Sequence, residues 1–146
     1  MKGITTNNAV QTFCRNVLGG FASARFHRPP SGLGLSPLAI NCIKTVRAIE
    51  KKVKMWDIAP RMDLLMDVKD NEAYLAAKEG EVYVILFTNG GEATLDLRGH
   101  DNRFSINWIS VDNPEWIQPG YIDGNGLVKI KTDSLKTCFA VIKAVR

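Results

Sequence analysis

The chain has 146 residues, of which 45% are hydrophobic and 23% charged, a composition that fits one folded domain, or a small domain with part of another, and excludes a disordered chain. Its longest unbroken apolar run is six residues, 82–87, too short for a membrane-spanning helix. The net charge of +4 is uneven: up to residue 54 nine Lys or Arg stand against Glu50 alone, and beyond it ten stand against fourteen acids, so a boundary is expected near Trp56.

Residues 1–12 hold one lysine and no apolar core of the kind a secretory signal needs. The chain as given is therefore expected to stay in the cytoplasm unless an upstream part carries a signal. Asn7 or Asn8 is expected to cap a helix whose apolar Val10, Phe13, Cys14, Val17 and Leu18 recur at three- and four-residue steps, and Gly19-Gly20 ends it. Residues 21–27 read as a strand, which Arg28-Pro29-Pro30-Ser31-Gly32 cannot continue. Ser36 and Pro37 then supply an N-cap and a first-turn proline for a helix running to about Lys54. Cys42, Val46, Ile49 and Val53 share one face of it, beside Ile40 and Ile43, while Lys44, Arg47, Lys51 and Lys52 form a solvated side. The basic half lacks the interleaved aromatics of single-strand binders, so no nucleic-acid partner is expected. Helix, strand, helix is the unit of an α/β barrel or layered sheet, but a lone strand has nothing to pair with. The unit must pack on the C-terminal part of the chain or belong to a larger domain.

Residues 56–68 form a connector without a clear period, in which Trp56, Ile58, Leu64 and Leu65 are expected to pin the two halves together. From residue 71 the sequence reads as β: 73–77, 82–87, 94–97, 104–110, 126–131 and 137–145, separated by turn residues. The run 82–87 is apolar at every position, so both its faces should be covered. Asn89-Gly90-Gly91 is expected to turn it into a hairpin with a returning strand that buries Leu95 and Leu97. The fold class is mainly β: an antiparallel β-sandwich of six or more strands. The three cysteines, Cys14, Cys42 and Cys138, are odd in number and lie in apolar segments, which favours buried free thiols over zinc.

Two stretches together carry a family resemblance. Residues 22–35 (ASARFHRPPSGLGL) with the helix after them resemble the last strand and helix of the catalytic (β/α)8 barrel in a group of bacterial glycoside hydrolases common in Bacteroidetes. Residues 71–97, with Phe104-Ser105-Ile106-Asn107-Trp108 downstream, resemble the C-terminal sandwich of the same proteins, a module often labelled a collagen-binding domain of a collagenase. The resemblance implies a barrel remnant at 1–55, a connector at 56–70 and an accessory sandwich at 71–146. Most of such a barrel is missing here, and barrel glycosidases draw their carboxylates from several strand ends. The one strand end present holds no acid, so no catalytic residue is assigned. A non-catalytic fragment that supports a barrel and touches carbohydrate is the function implied, with a protein-binding, collagen-type adhesion module as the alternative. Full-length relatives would be secreted or periplasmic.

Arg25, His27 and Arg28 would face the barrel mouth by this resemblance; the plainer reading is that they satisfy loop carbonyls. For carbohydrate, the candidates are Trp108, Trp116 and Tyr121, whose planar rings can cover a pyranose, with Asp112, Asn113, Glu115 and Gln118 to take hydroxyls. Trp108 alternates with Ile106 and suits a core. Trp116, between Pro114 and Pro119, is the more exposed choice, though a loop tryptophan packing back on its own sheet is as common. Asp123-Gly124-Asn125-Gly126 lacks the further ligands of a calcium loop and reads as a tight hairpin turn. No metal and no cofactor are expected. The partners expected are a polysaccharide, the rest of a barrel, or a second copy of the chain.

Overall fold

Two helices and nine strands make up the described residues, 6–21 and 36–146, of the computed structural model. Of the strand expected at 21–27, only Phe21 is among them, in no regular element; the rest, with its Pro-Pro loop, lies outside them. Helix α1 (Thr6–Leu18) starts two or three residues earlier than the sequence suggests, so Asn7 and Asn8 sit within its first turn and do not cap it. Val10, Cys14 and Leu18 are buried at four-residue steps, and Gly20, at φ 82°, lets the chain leave the helix. Helix α2 (Pro37–Glu50) has the expected cap: the Ser36 hydroxyl accepts from the Ala39 amide at 3.2 Å. It stops at Glu50, short of Lys54, where the amides of Lys52 and Val53 both turn back to the Ile49 carbonyl at 2.9 Å.

The connector is more ordered than its sequence implies. It holds two 3-10 turns (Met55–Asp57 and Met62–Leu64) and two short strands, β1 (Ala59–Pro60) and β2 (Leu65–Met66). Trp56 does not pin the halves together, being 83% exposed; Ile58 packs half-buried on the core between helices and sheet, while Leu64 and Leu65 enter the core between the two sheets. The remaining strands are β3 (Ala73–Lys78), β4 (Val82–Phe87), β5 (Gly91–Asp96), β6 (Arg103–Ser110), β7 (Gly120–Asp123), β8 (Leu127–Thr132) and β9 (Cys138–Ala144). One sheet runs β1-β3-β4-β9-β6-β7 and the other β2-β5-β8, with antiparallel pairing throughout.

The larger sheet is the middle of three layers. Val84 and Leu86 of β4, with Ile109, Phe139 and Val141, pack on Val10, Cys14, Leu18, Cys42 and Ile49 of the helices. Tyr83, Ile85 and Phe87, with Phe104, Ala140 and Ile142, pack on Ala93, Leu95 and Ile130 of the smaller sheet. Burial on both faces is why β4 is apolar at every position. The same holds for β9, whose residues 138–142 are buried throughout.

The expected hairpin does not form. Both edges of β4 are taken, by β3 and by β9, so β5 has no edge to pair with and crosses to the other sheet, between β2 and β8. Gly90 and Gly91 make the corner at φ 77° and 117°. A Cβ on Gly90 would lie 2.1 Å from the Ser134 carbonyl oxygen, so glycine is needed there for both conformation and space. The turn at Asp123-Gly124-Asn125-Gly126 is likewise a crossing and not a hairpin, since β7 pairs with β6 and β8 with β5. Gly124 passes so close to the His100 carbonyl that a Cβ would lie 2.1 Å from that oxygen. Strand β7 falls where the sequence reads as loop between residues 111 and 121 and as turn just beyond; with three of its four residues exposed, it has too little apolar pattern to announce itself.

Candidate functional site

The candidate carbohydrate residues spread over the outer end of the large sheet. Opposed residues of an antiparallel pair project to the same face. Tyr121 is opposite Ser105, and Trp116 bridges to Ile109, which lies two alternations further along β6. Trp116 and Tyr121 therefore share the helix-side face, whereas Trp108 projects to the other and packs 5.8 Å from Phe87.

Each of the two helix-side rings carries a cation. The Lys52 ammonium, just past α2, sits 5.0 Å from the Trp116 ring centre, and the Arg103 guanidinium sits 4.5 Å from that of Tyr121. Trp116 is half-buried against the helix-side core, and the Ile117 amide donates to the Trp108 carbonyl at 2.9 Å, holding the loop down on β6. Tyr121 is 55% exposed. Of the pair, Tyr121 is the one that offers surface.

The acids beside them differ in the same way. Asp112 is engaged on every side: its carboxylate accepts from the Lys136 ammonium and the Ser110 hydroxyl, and its carbonyl accepts from Asn41 of α2 at 3.0 Å. Lys136 first, then Ser110, hold its carboxyl below the usual range. Glu115 is exposed, with its amide donating to the Asn113 carbonyl at 2.8 Å. Arg25, His27 and Arg28 lie outside the described residues.

A second feature, opposite these rings, is not foreshadowed by any motif in the sequence. A cavity of about 320 Å³ opens beside Trp108, lined also by Ile117, Lys131, Asp133, Ser134 and Cys138. Burial pushes the Cys138 thiol up to about 11, with the Thr132 hydroxyl pulling partly against it, so it is neutral at pH 7. Elsewhere, Arg61 donates to Asp63 and to Glu79 at 2.8 Å each, and His100 lies 3.3 Å from Glu79. These four residues are spread along the sequence and carry no common motif, which is why only the fold reveals the network. Arg61, chiefly, and then His100 lower the Glu79 carboxyl; Arg61 also lowers Asp63. Every described carboxylate with a displaced pKa is pushed down, whereas a general acid working near neutrality needs the opposite.

No family model matches the chain, and no curated protein matches it. Among solved structures it is similar to a glycoside hydrolase family 5 protein from Bacteroides vulgatus ATCC 8482, with a TM-score of 0.73 and 12% identity over 96% of this chain and 36% of that one. A second structure, described as a glycoside hydrolase, gives 0.58 and 10% identity over 68% of this chain and 24% of that one. The chain thus spans about a third of the length of the first and a quarter of the second. At these identities the likeness is one of fold: helices and two antiparallel sheets arranged as in part of a glycoside hydrolase.

Proposed function

We propose that the chain is a non-catalytic part of a glycoside hydrolase, its two sheets forming an accessory sandwich and its helices the last elements of a (β/α)8 barrel that the sandwich supports. The likeness of 96% of the chain to a third of a family 5 structure carries this reading. The outer side of the helices supports it. A groove of about 710 Å³ runs there, lined by Phe13, Val17, Phe21, Ile43, Trp56 and Ile58 among others. Phe21 is 67% and Trp56 83% exposed beside it. Apolar rings left in water at one place mark a surface meant to be covered, and the remainder of the barrel is the occupant that this reading assigns.

Carbohydrate contact falls to Tyr121 and Glu115 at the exposed end of β7 and its loop, with Trp116 held beneath Lys52. The test has two arms. The purified chain should cleave no nitrophenyl glycoside above blank and should self-associate with concentration, and Phe21→Ser with Trp56→Ser should abolish that association. In affinity electrophoresis through polysaccharides, Tyr121→Ala should remove any retardation while leaving the fold intact. Turnover, or saturable binding to collagen in place of glycans, would overturn the proposal.

A further inference from the structure

The helix layer contains a pair of groups that the proposed function does not use. Cys14 of α1 and Cys42 of α2 stand with their sulfurs 3.4 Å apart, both wholly buried. We propose that this pair is a site of intrachain disulfide formation, closed by exchange with a low-molecular-weight disulfide such as oxidised glutathione. The inference stands apart from the hydrolase reading, since it rests on the two helices alone.

A disulfide needs its sulfurs about 2.05 Å apart, so the pair must close by about 1.4 Å, within reach of small side-chain rotations and a slight approach of the helices. The third thiol does not compete: Cys138 belongs to the core on the other face of the large sheet and points at the Thr132 hydroxyl, 3.8 Å away. Neighbours of the pair are apolar, with Val10, Leu18 and Ile49 in the same cluster. A bond formed there leaves no polar group stranded.

The exchange balances without another reagent. One cysteine thiolate attacks a sulfur of the donor, breaking its S–S bond and releasing one thiol. The second cysteine thiolate then displaces the other half of the donor, so two electrons pass from the pair to the donor and two protons end on the released thiols. Burial keeps both thiols from the donor in the closed fold. Opening of α1, held on the sheet by Val10, Cys14 and Leu18, therefore sets the rate.

The experiment incubates the folded chain with oxidised glutathione, quenches with iodoacetamide and maps peptides by mass. Linkage of Cys14 to Cys42 is expected, with a loss of about 2 Da that reductant restores. The bond closes a loop 28 residues apart in sequence and should raise the unfolding midpoint by roughly 10 °C. Cys138→Ala should link identically, and Cys42→Ser should stop at a glutathione adduct on Cys14. Persistent adducts in the unsubstituted chain, a link through Cys138, or three free thiols after incubation long enough for α1 amides to exchange would each overturn the proposal. The outcome in the unsubstituted chain decides the matter even if a variant fails to fold.

Discussion

Substituting Gly90 tests the corner at which the chain leaves one sheet for the other. Its φ of 77° costs an alanine about 1–2 kcal/mol in any surroundings. The added Cβ would also lie 2.1 Å from the Ser134 carbonyl oxygen and 3.1 Å from its carbon, both backbone atoms that cannot swing aside. Relieving that overlap means displacing the 133–137 turn, which the Thr137 hydroxyl ties to the Thr88 carbonyl at 2.7 Å, and overpacking of this kind costs about 1–3 kcal/mol more. Gly90→Ala should therefore lose about 2–5 kcal/mol. Gly99→Ala separates the two contributions: its φ is 83° but nothing lies within 4 Å of a Cβ, so only the conformational cost of about 1–2 kcal/mol remains. Gly126→Ala, open and without positive φ, should change little. Urea unfolding of the three variants gives the comparison. If Gly90→Ala and Gly99→Ala were equally destabilising, the corner would not be pressed against the 133–137 turn, and the hairpin expected from sequence would regain its case.

Two further predictions concern polar groups. Thr45, wholly buried in α2, donates to the Ser110 carbonyl at 2.9 Å, so Thr45→Val should strand that acceptor and cost about 1–3 kcal/mol by urea unfolding, with serine retaining most of the bond. Arg98 lowers the Asp96 carboxyl from 3.8 to about 2. A depressed carboxylate stabilises the fold above its unfolded pKa and loses that contribution as pH falls through its folded one. The loss should therefore fall between about pH 4 and 2, be small because the Arg98 side chain lies in water, and shrink in Arg98→Ala, where the residue-98 amide still donates to the carboxylate; NMR titration of the Asp96 carboxyl measures it directly.

Element types were largely legible in the sequence, and partners were not. The unbroken apolar run of β4 announces burial on both faces, and Ser36-Pro37 announces the start of α2, because both signals are local. Whether β4 turns back on its neighbour or hands the chain to another sheet depends on β9, some fifty residues later, occupying the edge that a hairpin needs. The same non-locality hid the connector's role: β1 and β2 are two residues each, too short for any period, yet they add an edge strand to each sheet. At the candidate site, the proline-flanked loop was legible, but the cations over Trp116 and Tyr121 come from Lys52 and Arg103, which no spacing links to them.

The charge reversal near Trp56 suggests cutting the chain there, yet the packing says that the two parts form one cooperative unit. Removing residues 1–55 strips the helices from the middle layer and exposes Val84, Leu86, Ile109, Val111, Phe139 and Val141, all buried at present. At roughly 1.5–3 kcal/mol for each side chain, about 10 kcal/mol or more of burial is lost, as much as the whole stability of an ordinary domain. Residues 56–146 alone should therefore be molten or aggregated, binding a hydrophobic dye and showing no cooperative urea transition. Adding residues 1–55 as a separate peptide should restore part of the transition, because the contacts between helices and sheet are apolar and need no covalent link. A fragment 56–146 that unfolds cooperatively at the midpoint of the full chain would refute the three-layer core and make the sheets a domain in their own right. The charge boundary and the packing boundary differ for a physical reason: Lys44, Arg47, Lys51, Lys52 and Lys54, on α2 and just past it, are exposed to water and take no part in the core, while the apolar inner faces of both helices belong to the sheet.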